Sequence, residues 1–112
     1  MKTNKRIFHC TLQGRGGHGA MPHETMDPIV AAAWLIPLLE EAAAAQGAAI
    51  CWQQVHGGTR FNIIPEQLRL QGVLRIGPDT AAGCEEPLRR AAQRAAQALR
   101  VQCSLQFEGE GQ

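Results

Sequence analysis

The 112-residue chain has no excess of either charge: eleven lysines and arginines stand against ten aspartates and glutamates, a formal +1. That balance excludes the basic footprint of a nucleic-acid-binding domain and a cationic membrane-surface patch. No apolar run is read as long enough to span a membrane. The basic start, residues 1–6, is not followed by the apolar core of a signal peptide. A cytoplasmic protein without a nucleic-acid or membrane partner is therefore expected. Nor is there a Cys-x-x-Cys pair: Cys10, Cys51, Cys84 and Cys103 are widely spaced and are expected as reduced, mostly buried thiols. At this length the chain, 1–112, is expected to form one domain with a modest core.

What is present is a glycine loop near the start, Gln13-Gly-Arg-Gly-Gly-His-Gly-Ala-Met-Pro-His-Glu-Thr-Met-Asp-Pro28. Four glycines between positions 14 and 19 surround His18 and let the backbone turn tightly or approach another chain closely. Asp27-Pro28 then reads as a helix start, with aspartate as N-cap and proline at the first helical position. Before the loop, Arg6 to Leu12 alternates as a strand with Phe8, Cys10 and Leu12 on one face. His9, on the other face, reads as an ordinary strand side chain. After the loop, Asp27 to about Ala45 reads as a helix whose apolar positions are Ile29, Val30, Ala33, Trp34, Leu38 and Leu39. Gln46-Gly47 stops it, and Pro37 is expected to kink it.

Ala48 to His56 is a weakly alternating strand carrying Ile50, Trp52 and Val55. Gly57 to Asn62 is a loop, and Pro65 holds Ile64 extended. Gln67 to Arg75 alternates clearly, with Leu68, Leu70 and Leu74 inward. After a turn at Gly77-Pro78-Asp79-Thr80, a second helix begins between Ala81 and Glu86 and runs to Leu99. Its stripe is Leu88, Ala91, Ala92, Ala95 and Leu99; Pro87 suits the first turn. Arg89, Arg90, Arg94 and Arg100 lie off the stripe as a solvated face. Gln102 to Glu108 is a last strand with Cys103, Leu105 and Phe107 inward, followed by a frayed tail. The order β-α-β-β-α-β, with one apolar face per element, predicts an α+β ferredoxin-like fold: a four-stranded antiparallel sheet with both helices on one side.

Three polar residues stand out for chemistry: His18 in the glycine loop, Asn62 after Gly57-Gly58, and Arg75 at the end of the third strand. The sequence does not by itself bring all three to one site within one chain. His18 and His23 are five apart in a glycine and proline loop, which is not the i, i+4 helical spacing of a zinc protease. No serine or cysteine is placed beside a histidine with a third orienting group. The glycines at 14, 16, 17 and 19 imitate a dinucleotide fingerprint without the parallel βαβ unit it requires.

Taken together, Gly14-Arg-Gly-Gly-His-Gly-Ala-Met-Pro-His-Glu-Thr-Met-Asp-Pro28, Gly57-Gly-Thr-Arg-Phe-Asn-Ile-Ile-Pro65 and Gly72-Val-Leu-Arg75 resemble the dimerisation (lid) domain of the metal-dependent aminoacylase/carboxypeptidase family. The chain is most similar to its amidohydrolase branch, with the hippurate hydrolases and indole-acetyl-amino-acid hydrolases. The resemblance spans roughly residues 6 to 109. It implies a homodimer formed through this domain, and the same ferredoxin-like fold.

It further implies that His18 reaches the partner subunit's active site and holds the scissile carbonyl oxygen. Asn62 and Arg75 would hold the substrate carboxylate or polarise its amide. A preorganised donor at a developing oxyanion stabilises the transition state by about 3–4 kcal/mol, and arginine's fork matches a carboxylate. The implied substrate is an N-acyl amino acid or small peptide. The implied metal, zinc or manganese, belongs to a catalytic domain whose His-x-Asp motif and glutamate pair are not found in these residues, so the chain alone is expected to lack hydrolase activity. The competing expectation is a stand-alone ferredoxin-like homodimeric binding or assembly module without catalysis.

Overall fold

The structure, a computed structural model, describes residues 4–14, 27–57, 67–77, 80 and 83–108. It consists of β1 (Asn4–Gln13), α1 (Pro28–Ala45), β2 (Ala48–Gly57), β3 (Gln67–Ile76), α2 (Glu85–Leu99) and β4 (Gln102–Phe107). The four strands form one sheet in the order β2-β3-β1-β4, and every neighbouring pair is antiparallel. The expected ferredoxin-like architecture is thus the observed one. α1 lies over β2 and α2 over β4, and the two helices pack on each other.

The core lies between sheet and helices. Phe8, Cys10 and Leu12 of β1, Leu68, Leu70 and Leu74 of β3, and Leu105 and Phe107 of β4 are buried there, as the alternation predicts. β1 begins two residues earlier than the apolar pattern suggests. At the other end of the chain, the Glu108 N–H donates to the Ile7 carbonyl at 2.8 Å and its carboxylate meets His9 Nε2 at 2.9 Å. Glu108 therefore extends the ladder instead of opening the tail, and His9 is hydrogen-bonded to it.

Gly72 is a close approach in the middle of the sheet. A Cβ there would lie 2.7 Å from Phe8 Cζ and 3.1 Å from the Cys51 carbonyl oxygen. Because Gly72 pairs with Phe8 on one side and Trp52 on the other, the missing side chain lets those two rings meet edge to face, 5.3 Å between centroids.

α1 starts as its sequence requires. The Asp27 carboxylate accepts the Ile29 N–H at 2.8 Å, and Gly47 ends the turn at φ +78°. The buried face, however, shares only Leu39 with the expected one. Pro28, Ala31, Ala32, Leu35, Leu39 and Ala43 face the sheet, whereas Ile29, Val30, Trp34 and Leu38 are exposed. The helix is apolar nearly all round, so helical spacing fits two faces and cannot choose between them. Nor does Pro37 interrupt the helix, which continues through it. Pro37 and Ala33, whose carbonyl loses its helical donor, are both exposed, so water can satisfy that carbonyl. By length and composition alone α1 could also cross a membrane, with 18 residues at a mean hydropathy of 1.5. This corrects the expectation that no apolar run reaches that length; here the helix packs one face on the sheet, and a core helix passes the same test.

Candidate functional site

The register fixes where each loop is held. Gln13 at the end of β1 pairs with Gln67 at the start of β3 and with Gln102 at the start of β4. Gly57 at the end of β2 pairs with Leu68. The stretches 15–26 and 58–66 therefore leave from the same end of the sheet, beside the start of α1. Between Gln13, Gly14, Arg100 and Gln102 that end carries a concavity of about 370 Å³. Arg100, at φ +60°, turns the chain there from α2 into β4.

His18 and Asn62 lie in those two stretches, outside the described residues, as does His23. Arg75 is described, exposed, and at the other end of the sheet. It pairs with Lys5 of β1 and Ala49 of β2, eight residues along β3 from Gln67, or about 26 Å at ~3.3 Å per residue. The sheet thus anchors the two loops together and holds Arg75 far from their anchor points. The Arg75 end is tied down separately: the Thr80 hydroxyl accepts the Gly77 N–H at 2.9 Å and donates to the Gly47 carbonyl at 2.8 Å.

The near-zero net charge conceals a sorted distribution. By register, among the described residues, the face of the sheet away from the helices presents Lys5, Arg69 and Arg75 against the one carboxylate of Glu108, with His9 and His56 between them. Such a face favours an anionic group. Among the described residues no group of three or more histidine, cysteine or acidic side chains is placed to hold a metal ion; His9 and Glu108 meet without a third ligand. The described residues do not fit a zinc or manganese site.

A second feature, which the apolar pattern misassigned, is a surface. Among the described residues the exposed large hydrophobic side chains are Ile29, Val30, Trp34 and Leu38 of α1 and Val55 of β2. None comes from α2 or β4. Trp34 is 62% and Val55 58% exposed. Val55 owes its position to a register shift between Trp52 and Gln54, which puts it opposite Leu70 on the helix side, where α1 leaves it uncovered. β2 is also a ten-residue edge strand, with unpaired backbone groups along its outer side.

A four-stranded sheet with a helical layer, a long open edge and exposed apolar side chains on α1 and β2 suits a domain that associates. Comparison with known proteins agrees, for residues 4–100 match the family described as the peptidase dimerisation domain. The chain belongs to that family. It is 37% identical over 89 residues to an N-acetyldiaminopimelate deacetylase of Priestia megaterium, covering 74% of this chain and 24% of that protein. It is 32% identical over 74 residues to an IAA-amino acid hydrolase ILR1-like 2 of Arabidopsis thaliana, covering 62% of this chain and 17% of that protein. The fold superposes on a Bacillus subtilis protein described as a dinuclear metal binding peptidase from the M20 family, with a TM-score of 0.68 and 24% identity over 94% of this chain and 25% of the other. The chain spans a quarter or less of the length of each.

Proposed function

We propose that this chain is the dimerisation and lid domain of a metal-dependent N-acyl-amino-acid amidohydrolase or carboxypeptidase. In this reading it pairs two subunits and lends His18 to the partner's active site. The observation that carries the reading is the separation of Arg75 from the anchor points of the two loops. A substrate small enough to touch His18 and Arg75 together is hard to accommodate within one copy, and pairing through the β2 edge removes the difficulty.

When two β2 strands lie antiparallel about a two-fold axis, the Gly57 end of one faces the Ala48 end of the other. Arg75, opposite Ala49, then stands one strand in from that junction. The loops of one subunit and the arginine of the other meet at the same end of an eight-stranded sheet. Val55 lies on β2 itself, so the pairing also covers part of the exposed apolar surface.

In the assembled enzyme, His18 donates to the scissile carbonyl oxygen as charge develops, and Asn62 and Arg75 hold the carboxylate of an N-acyl amino acid or small peptide. Zinc or manganese, expected for such an enzyme, is assigned to a catalytic domain beyond these residues. The same reading places the protein in the cytoplasm, which its free cysteines support.

The test is metal-dependent release of amino acid from N-acetyl and N-benzoyl substrates. It compares the enzyme carrying this domain, its His18→Ala variant, and the 112-residue chain alone. Activity in the first, a loss of about 10²–10³-fold in the second and none in the third is the expected pattern. Full activity in the variant would leave the domain only its assembly role.

A further inference from the structure

We propose that Cys10 and Cys103 form an oxidisable thiol pair that a peroxide closes to a disulfide, fastening the edge strand β4 to β1. The two sulfurs are 3.6 Å apart. Both side chains are on the helix side of neighbouring strands, diagonal to one another: Cys10 faces Leu105, and Cys103 faces Leu12. Closure to a disulfide, about 2.05 Å between sulfurs, needs the sulfurs to approach without any change of register. The backbone of Cys103 is already held, since its carbonyl accepts Gln93 Nε2 of α2 at 2.9 Å.

The two thiols differ in access. Cys10 is fully buried and Cys103 only partly so, which makes Cys103 the entry point. The hydrogen bond between them works in the same direction. It raises the Cys10 thiol far above the usual range, with burial adding to the shift, and it lowers Cys103. Of the two, Cys103 is the more readily deprotonated, and it is the sulfur that an oxidant can reach.

The chemistry balances. The Cys103 thiolate attacks one peroxide oxygen, the O–O bond breaks, and the sulfur becomes a sulfenic acid while an alcohol, or water from hydrogen peroxide, departs. The Cys10 sulfur then attacks Cys103 Sγ, and the sulfenic hydroxyl leaves as water with the Cys10 proton. Two thiols are oxidised and one peroxide is reduced. Cys51 cannot substitute, because it lies on the opposite edge strand and faces the open side of the sheet.

The experiment uses the folded chain carrying Cys51→Ser, which removes the exposed thiol, treated with hydrogen peroxide and then mapped by thiol titration and peptide mass spectrometry. The expected result is loss of two of the three remaining thiols as one Cys10–Cys103 cross-linked peptide pair, reversed by dithiothreitol. Amide exchange across residues 102–107 should slow in the oxidised form. A Cys103→Ala companion should keep its Cys10 thiol under the same treatment. Oxidation of Cys103 to the sulfinic acid with Cys10 still free would overturn the pairing. A cross-link that leaves exchange in β4 unchanged would overturn the fastening. If the companion variant does not fold, the peptide map of Cys51→Ser decides alone.

Discussion

A single missing side chain shapes the middle of this sheet. Gly72 sits between Phe8 and Trp52, and its neighbours leave no space for even a methyl group. Gly72→Ala is expected to push the Phe8 ring out of its place against Trp52 and to cost about 1–3 kcal/mol, read as a lowered thermal midpoint. The sequence shows Gly72 only as part of a motif; its reason is a contact between three strands, which no local pattern reveals. The strand interiors are the opposite case. Leu68, Leu70 and Leu74 alternate with polar residues so cleanly that their burial follows from period two alone. His9 is intermediate: its face is legible, whereas its partner Glu108 is 99 residues away and is found only once β1 and β4 are paired.

The helices divide in the same way at the scale of elements. α2 alternates small apolar and charged residues, and its stripe is buried close to expectation, with Leu88, Ala92 and Ala95 inside. α1 is apolar on almost every side, so its ends were legible from Asp27, Pro28 and Gly47 while its inward face was not. The observed face makes two contrasting predictions. Leu35→Ala, at a fully buried position, should cost about 2–5 kcal/mol of stability. Val30→Ala should barely change the stability of a single copy, since half-exposed side chains forfeit little on truncation. Chemical denaturation of the two variants side by side checks the assignment, and equal losses would contradict it. The cap is separable from both: Asp27→Ala should cost about 1 kcal/mol through the lost bond to the Ile29 N–H.

For the whole molecule, topology matters more than any one contact. The strand order β2-β3-β1-β4 leaves two edges, and among the described residues only the β2 edge carries an exposed large hydrophobic side chain, Val55. It also puts the anchor points of 15–26 and 58–66 at one end and Arg75 at the other. The fold class was legible in the order of the elements, and the candidate residues in three short motifs. The placing of the loop anchor points and Arg75 at opposite ends of the sheet was not legible, because it depends on register over ten residues of β1 and β3. From that division follows the central claim, that the functional unit is a pair of chains joined along β2.

Sedimentation equilibrium of the 112-residue chain beside its Trp34→Glu/Val55→Lys variant tests this most directly. The account predicts a species of twice the 12.1 kDa chain mass for the unaltered protein at micromolar concentration. It predicts a folded single chain for the variant, which puts a lysine on the strand used for pairing and a second charge on the exposed face of α1. A monomer in both, at concentrations well above micromolar, or a dimer unaffected by the two charges, would contradict it.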